Sequence, residues 1–237
     1  MKLEDRKKLL IQLLKSRGIQ FEKGLTNEEL ITVEANFDIT FPPDLQTLLC
    51  LELPVSKEFV NWRKALSSKE YEDEVFDKLN RPLEGMLFDI ENNAFWDENW
   101  GEKPEIFEQQ KEIATQNFKK YPKLIPIYSN RYIPSKPHET GNPILSVHQM
   151  DIIYYGFDLA TYFRNEFHLT YACYQRRQRL PAPARRIQFP FQEHIRPNYP
   201  SRKTKYRASL SAVGIGDDKG KITKSIKANI TFSIFYP

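Results

Sequence analysis

The residue types that could carry chemistry are few in this chain, and their spacing is wrong for it. The four histidines are His138, His148, His168 and His194. No two stand at the three- to five-residue spacing of a helical metal site, and no cysteine pair accompanies them. His148 lies in a β-prone run, where a half-buried ring bonded to a backbone carbonyl is expected. Cys50 sits in Leu48-Leu49-Cys50-Leu51, a setting for a buried, inert thiol. Ser146 lacks the glycine-flanked elbow of a hydrolase nucleophile. Residues 214–221 mimic a phosphate loop and fail its rules. Ile215 stands where the first glycine belongs, Ile222 where the hydroxyl belongs, and Asp217 and Asp218 would repel phosphate. No catalytic residue, metal or cofactor is expected.

Two carboxylate pairs, Asp89/Glu91 and Asp97/Glu98, border a loop containing Trp96 and Trp100. Paired carboxylates beside aromatic rings can cleave sugars. The adjacent acids Asp97 and Glu98 do not share one face, and acids recur throughout this part of the chain. A small carboxylate hydrolase therefore ranks below a binding role. Arg176, Arg177, Arg179, Arg185 and Arg186, interleaved with Tyr174, Phe189 and Phe191, could meet phosphates and stack on bases. Nucleic-acid binding is confined to this basic segment and ranks last.

Charge divides the 237 residues more sharply than the net +4 suggests. Residues 1–170 hold 21 Lys+Arg against 28 Asp+Glu, and residues 171–237 hold 14 against 3. An acidic body attracts basic proteins and repels nucleic acid. The longest run without Asp, Glu, Lys or Arg is eleven residues, 140–150, too short to span a bilayer. Charges run through the apolar positions of MKLEDRKKLLIQLLKSR, so no secretory signal is expected there. Two cysteines make no disulfide framework, and a cytoplasmic location is the expectation.

The elements that must position these residues are partly legible. Leu3, Leu10, Ile11, Leu13 and Leu14 form a helical stripe that Gly18 ends. Thr26-x-x-Glu29 is a capping box opening a helix that buries Leu30, Val33, Ala35 and Phe37. Pro42-Pro43 break the chain, and Asp44 starts a short helix through Leu45, Leu48 and Leu49. Residues 56–80, with Trp62 and Phe76, read as helical, and residues 85–90 as the first strand. Pro104 suits the first turn of a helix to about Lys120. Residues 123–128, 144–148 and 151–155 are short β runs, the last two joined at Gln149-Met150 and the last ended by Gly156, a turning point. Pro126 and Pro134 mark strands that are edges or bend. Asp158 caps a helix over residues 159–167. Residues 217–220 form a turn.

Leu25-Thr26-Asn27-Glu28-Glu29-Leu30, Glu34, Ile39-Thr40-Phe41-Pro42-Pro43-Asp44-Leu45 and Leu48-Leu49 resemble the opening of the SUKH superfamily. That superfamily includes a fungal cell-wall-assembly regulator and many bacterial immunity proteins. Trp96 and Trp100-Gly101-x-x-Pro104 are similar to its aromatic loop. Leu124-Ile125-Pro126-Ile127-Tyr128, Arg131-Tyr132-Ile133-Pro134, Gly141-Asn142-Pro143-Ile144, Asp151-Ile152-Ile153-Tyr154-Tyr155-Gly156 and Asp158-Leu159 follow in the family's order. Arg185-Arg186-Ile187-Gln188-Phe189 resembles its closing strand. Where the family has an Asn-Gly pair, this chain has Cys50-Leu51-Glu52-Leu53-Pro54. The resemblance covers about residues 20–195.

The pattern of helices first and strands later indicates an α+β fold, with N-terminal helices packed on a mixed, mostly antiparallel sheet. The domain is expected over residues 1–195. Residues 196–237 are expected to be a basic C-terminal extension, a hairpin or a disordered tail. The resemblance implies a non-catalytic protein-binding module, an immunity protein that neutralises a toxin domain, often a nuclease. A regulatory scaffold related to cell-wall assembly is the alternative. The expected contact residues are Glu70, Glu72, Asp73, Glu74, Asp89, Glu91, Trp96, Asp97, Glu98 and Trp100. For the two tryptophans core packing competes with contact, and for the acids plain solvation does.

Overall fold

The computed structural model describes residues 3–169 and 196–197. The expected strand at 185–189 and turn at 217–220 lie outside the described residues, as does nearly all of the basic segment. Helix α1 (Leu3–Ser16) buries Leu10, Ile11 and Leu14 and ends before Gly18, whose φ of +86° suits glycine. Strand β1 (Phe21–Lys23) leads to α2 (Asn27–Phe37). Its capping box forms as the sequence dictates. Thr26 Oγ1 accepts from the Glu29 amide at 3.1 Å, and Glu29 Oε2 accepts from the Thr26 amide at 2.8 Å. Leu30, Val33 and Phe37 are buried, whereas Ala35, expected inside, is exposed because it falls on the outer side of the helix.

Helix α3 (Pro43–Leu51) starts on a proline, which loses no helical hydrogen bond in the first turn. Strand β2 (Glu52–Pro54) then pairs antiparallel with β1, Phe21 opposite Pro54. A strand thus stands where the resemblance would place an Asn-Gly turn. Helix α4 (Trp62–Ala65) is short, and Asn61 caps it. Its Trp62 is buried in edge-to-face contact with Phe37 and Phe41, at 5.7 and 5.1 Å between ring centroids.

Residues 85–90 correct the sequence reading: they are not a strand. They belong to α5 (Lys69–Asn92), a 24-residue helix whose buried positions Val75, Pro82, Met86 and Ile90 recur at helical spacing. Pro82 obscured that period. A single 3-10 turn (Glu98–Trp100) follows, then α6 (Phe107–Phe118). Pro104 lies before α6 rather than in its first turn, and its carbonyl accepts from the Gln110 side chain at 2.6 Å.

Strands β3 (Leu124–Tyr128), β4 (Arg131–Pro134), β5 (Ile144–His148), β6 (Asp151–Gly156) and β7 (Arg196–Pro197) form one sheet in that order. The first three pairings are antiparallel and the last is parallel, Ile153 opposite Arg196. As expected for its proline, β3 is an edge strand, with a register shift between Pro126 and Tyr128. Both faces of the sheet are covered. Ile125, Ile127, Ile133 and Ile144 join the main core with the N-terminal helices and α7 (Leu159–Glu166). Leu124, Tyr132, Leu145, Val147 and Ile152 form a second cluster on the other face. Two-sided burial explains why these runs are continuously apolar rather than alternating.

Gln149 in the left-handed region (φ 54°) closes the β5–β6 hairpin. Gly156 is needed for close approach rather than for turning. A Cβ there would stand 2.6 Å from Tyr162 Cβ, so glycine lets α7 lie against the end of β6. Asp158 caps α7 by accepting from the Thr161 amide at 2.6 Å. Among the described residues no helix is long and apolar enough to cross a membrane.

Candidate partner-binding surface

The outward side of α5 gathers four of the eight acids singled out in the sequence, Glu70, Asp73, Glu74 and Glu91. Ser68 caps the helix by accepting from the Tyr71 amide, and Glu70 and Glu72 in the first turn complement the helix dipole. The buried side is held by Val75, Pro82, Met86, Asp89 and Ile90. That register leaves Glu70, Asp73, Glu74, Asp77, Glu84, Phe88 and Glu91 exposed on one face, with Arg81 the exposed base among them between Asp77 and Glu84. Between Glu70 and Glu105 twelve Asp+Glu stand against three Lys+Arg. Glu72 is half-buried and pairs with Lys69 at 2.8 Å; Asp73 meets the same ammonium at 3.0 Å. These two carboxylates hold the Lys69 ammonium above its ordinary range, the Glu72 hydrogen bond contributing most.

Asp89 is not part of this surface. It is buried, and both its oxygens are engaged: Oδ1 accepts from Asn93 Nδ2 at 2.6 Å and Oδ2 from the Met150 amide at 2.9 Å. A buried carboxylate needs such donors, and here they tie the end of α5 to the β5–β6 hairpin. The Asp89/Glu91 pair therefore does not face one cleft: Glu91 is exposed and Asp89 is a structural clasp.

Trp96 and Trp100 are half-buried and pack edge to face, 5.2 Å apart at 89°. Both lie against a cluster of Met86, Ile90 and Ala114, and Trp96 Nε1 donates to the Gly101 carbonyl at 2.8 Å. Packing accounts for much of both rings. Asp97 caps the 3-10 turn, its Oδ1 accepting from the Asn99 amide at 2.9 Å and from Asn99 Nδ2 at 2.8 Å; Glu98 is exposed. These two acids belong to the turn, not to the α5 stripe.

Of the remaining chemical candidates, His138 and Ser146 have structural partners. His148 is exposed at the end of β5, contrary to the expectation of a half-buried ring; His138 is the histidine that meets a carbonyl, Nε2 lying 3.2 Å from Phe41 O. Ser146 Oγ accepts from Arg131 Nη1 at 2.9 Å and from Asn130 Nδ2 at 3.2 Å. Cys50 is half-buried rather than fully buried, and desolvation pushes its thiol up, away from the nucleophilic thiolate. Among the described residues no group of three or more His, Cys, Asp or Glu is placed to hold a metal ion.

The sequence reading missed Asp77, Glu84 and Phe88 as members of the exposed face. The signal was present: acids at 70, 73, 74, 77, 84 and 91 share one helical face once residues 69–92 are read as one helix. No family model, curated protein or solved structure matches the chain.

Proposed function

We propose that this chain is a non-catalytic protein-binding module, an immunity protein that binds and neutralises a basic, nuclease-type toxin domain. The observation that carries the reading is the outer face of α5, where Glu70, Asp73, Glu74, Asp77, Glu84 and Glu91 stand exposed on a helix whose other side is packed. A nuclease holds phosphates and is accordingly basic along its substrate channel. An acidic surface is steered toward such a channel and covers it, with repulsion against nucleic acid and other acidic partners. The SUKH resemblance over residues 20–195 is the ground for naming a toxin as the partner. A rigid helix suits the task, because little side-chain and backbone freedom is lost on docking.

The test is inhibition. The full chain, mixed with any nuclease-type toxin domain found encoded beside its gene, is expected to suppress nucleic-acid cleavage at equimolar ratio and to form a complex on size exclusion. Undiminished cleavage together with separate elution would overturn the reading.

A further inference from the structure

We infer that Phe88 is the apolar anchor of the α5 surface, received by an apolar pocket on a basic protein partner; this rests on the reading of α5 as the binding face. Phe88 is 48% exposed and belongs to none of the three apolar clusters. A lone exposed apolar residue is ordinary on a protein surface. Two features set this one apart.

The first is rigidity. The turn of α5 that carries Phe88 is clasped on both sides of it. At Gly85 the helix runs so close to the β5–β6 hairpin that a Cβ would stand 2.7 Å from Gln149 Cα. At Asp89 the carboxylate accepts from the Met150 amide at 2.9 Å. Met86 and Ile90 are buried on the opposite side. The ring thus projects from a fixed backbone and has only two side-chain torsions to lose, the condition under which an aromatic residue contributes most on binding.

The second is its flanks. Glu84 lies four residues before Phe88 and Glu91 three after, so both neighbour it on the helix surface, and both are exposed. An aromatic ring between carboxylates matches a pocket rimmed by Lys or Arg. That is the usual anatomy of a binding hot spot: an apolar centre that enters a pocket, and a charged rim that sets partner and register. The partner chemistry follows by charge complementarity: a protein surface with an apolar depression in a basic field.

The experiment places a photo-crosslinking phenylalanine analogue at position 88, and separately at position 73, of the full chain in the cells that produce it. The captured protein is purified and its binding kinetics are measured against the wild type, Phe88→Ala and Phe88→Glu. A partner with more Lys+Arg than Asp+Glu, released at least about tenfold faster from Phe88→Ala at a nearly unchanged association rate, is the expected result. Unchanged thermal unfolding of Phe88→Ala would show that the loss is not one of fold. Wild-type dissociation rates for both variants overturn the anchor. Capture at position 73 but not at 88 leaves the binding face standing and removes Phe88 from it. Capture at neither position, or capture of an acidic protein, overturns both.

Discussion

The Tyr132 hydroxyl on β4 donates to the Lys78 carbonyl on α5 at 3.0 Å. Lys78 is four residues before Pro82, which has no N–H and leaves that carbonyl without its helical donor. The sheet thus supplies from outside the bond that the proline removes, and Pro82 can sit buried within a 24-residue helix. Tyr132→Phe is expected to destabilise the fold by about 1–2 kcal/mol, because it strands a carbonyl inside the protein. In a Pro82→Ala background an amide again faces Lys78 O, and Tyr132→Phe should cost about 1 kcal/mol less. Urea unfolding of the four proteins measures this; equal costs in the two backgrounds would refute the compensation.

A second polar clasp predicts an acid-limb effect. Arg63 Nε meets Glu29 Oε1 at 2.6 Å and Nη2 meets Oε2 at 3.0 Å, while Nη1 and Nη2 donate to the Lys23 and Gly24 carbonyls at 2.8 and 2.9 Å. The guanidinium, and after it the Thr26 amide, hold the Glu29 carboxyl down at about 2. A folded-state pKa below the unfolded value means that this stabilisation is present above about pH 4–5 and is lost as pH falls toward 2. Glu29→Gln should flatten the acid limb of stability over that window. Arg63→Ala should lose about 2 kcal/mol at neutral pH. Denaturation midpoints measured from pH 7 to pH 2 decide it, and identical acid limbs would refute the assignment.

The contrast between what could and could not be read from the sequence has physical causes. The Thr26–Glu29 capping box, the Gly18 stop, the β5–β6 hairpin and the Asp158 cap were legible because each depends on residues close in sequence. Helix α5 was not, because Pro82 is a local helix breaker whose compensation comes from Tyr132, fifty residues away. The error carried over to the candidate surface. Asp89, expected at the surface beside the Trp-rich loop, is instead buried by the helical register, with the Met150 amide donating to its carboxylate. The acidic residues nearest the helix start, Glu70, Asp73 and Glu74, needed no long-range information and lie on the exposed face. The half-burial of Trp96 and Trp100 depends on Met86, Ile90 and Ala114, and only the packed fold reveals it.

Lys7 carries a prediction of opposite sign. It is 5% exposed on α1, and burial lowers its ammonium below the ordinary range even though Asp44 and Asp158 pull the other way. A base whose folded-state pKa is lowered opposes folding at low and neutral pH, and this penalty fades as pH rises from the folded toward the unfolded value. The wild type should therefore gain stability on the alkaline side relative to Lys7→Met. At neutral pH Lys7→Met should be neutral or more stable by about 1 kcal/mol, since an apolar chain of similar length fills the site without desolvating a charge. Loss of several kcal/mol would mean instead that the attraction of Asp44 and Asp158 outweighs burial. Thermal melts of both proteins at neutral and alkaline pH separate the two outcomes.

Neutralising the stripe on α5 should change how fast the partner arrives rather than whether the protein folds. Asp73, Glu74 and Asp77 are exposed, and Asp73 pairs with Lys69 across the surface at 3.0 Å. Exposed pairs of that kind contribute little to stability, so Asp73→Asn, Glu74→Gln and Asp77→Asn together should shift it by no more than about 1 kcal/mol. Asp97 is unsuitable for this test because it caps the 3-10 turn through Asn99, and its removal would disturb the loop. Steering acts over a Debye length, about 10 Å at 0.1 M salt and about 3 Å at 1 M. The triple variant should therefore associate with a basic nuclease domain about tenfold more slowly at low salt, with the difference vanishing near 1 M. Its dissociation rate should stay close to that of the wild type, because charges at the edge of an interface govern encounter more than residence. Stopped-flow association across a salt series reads both quantities. An unchanged rate with unchanged salt dependence would make these acids ordinary surface and move the contact off α5.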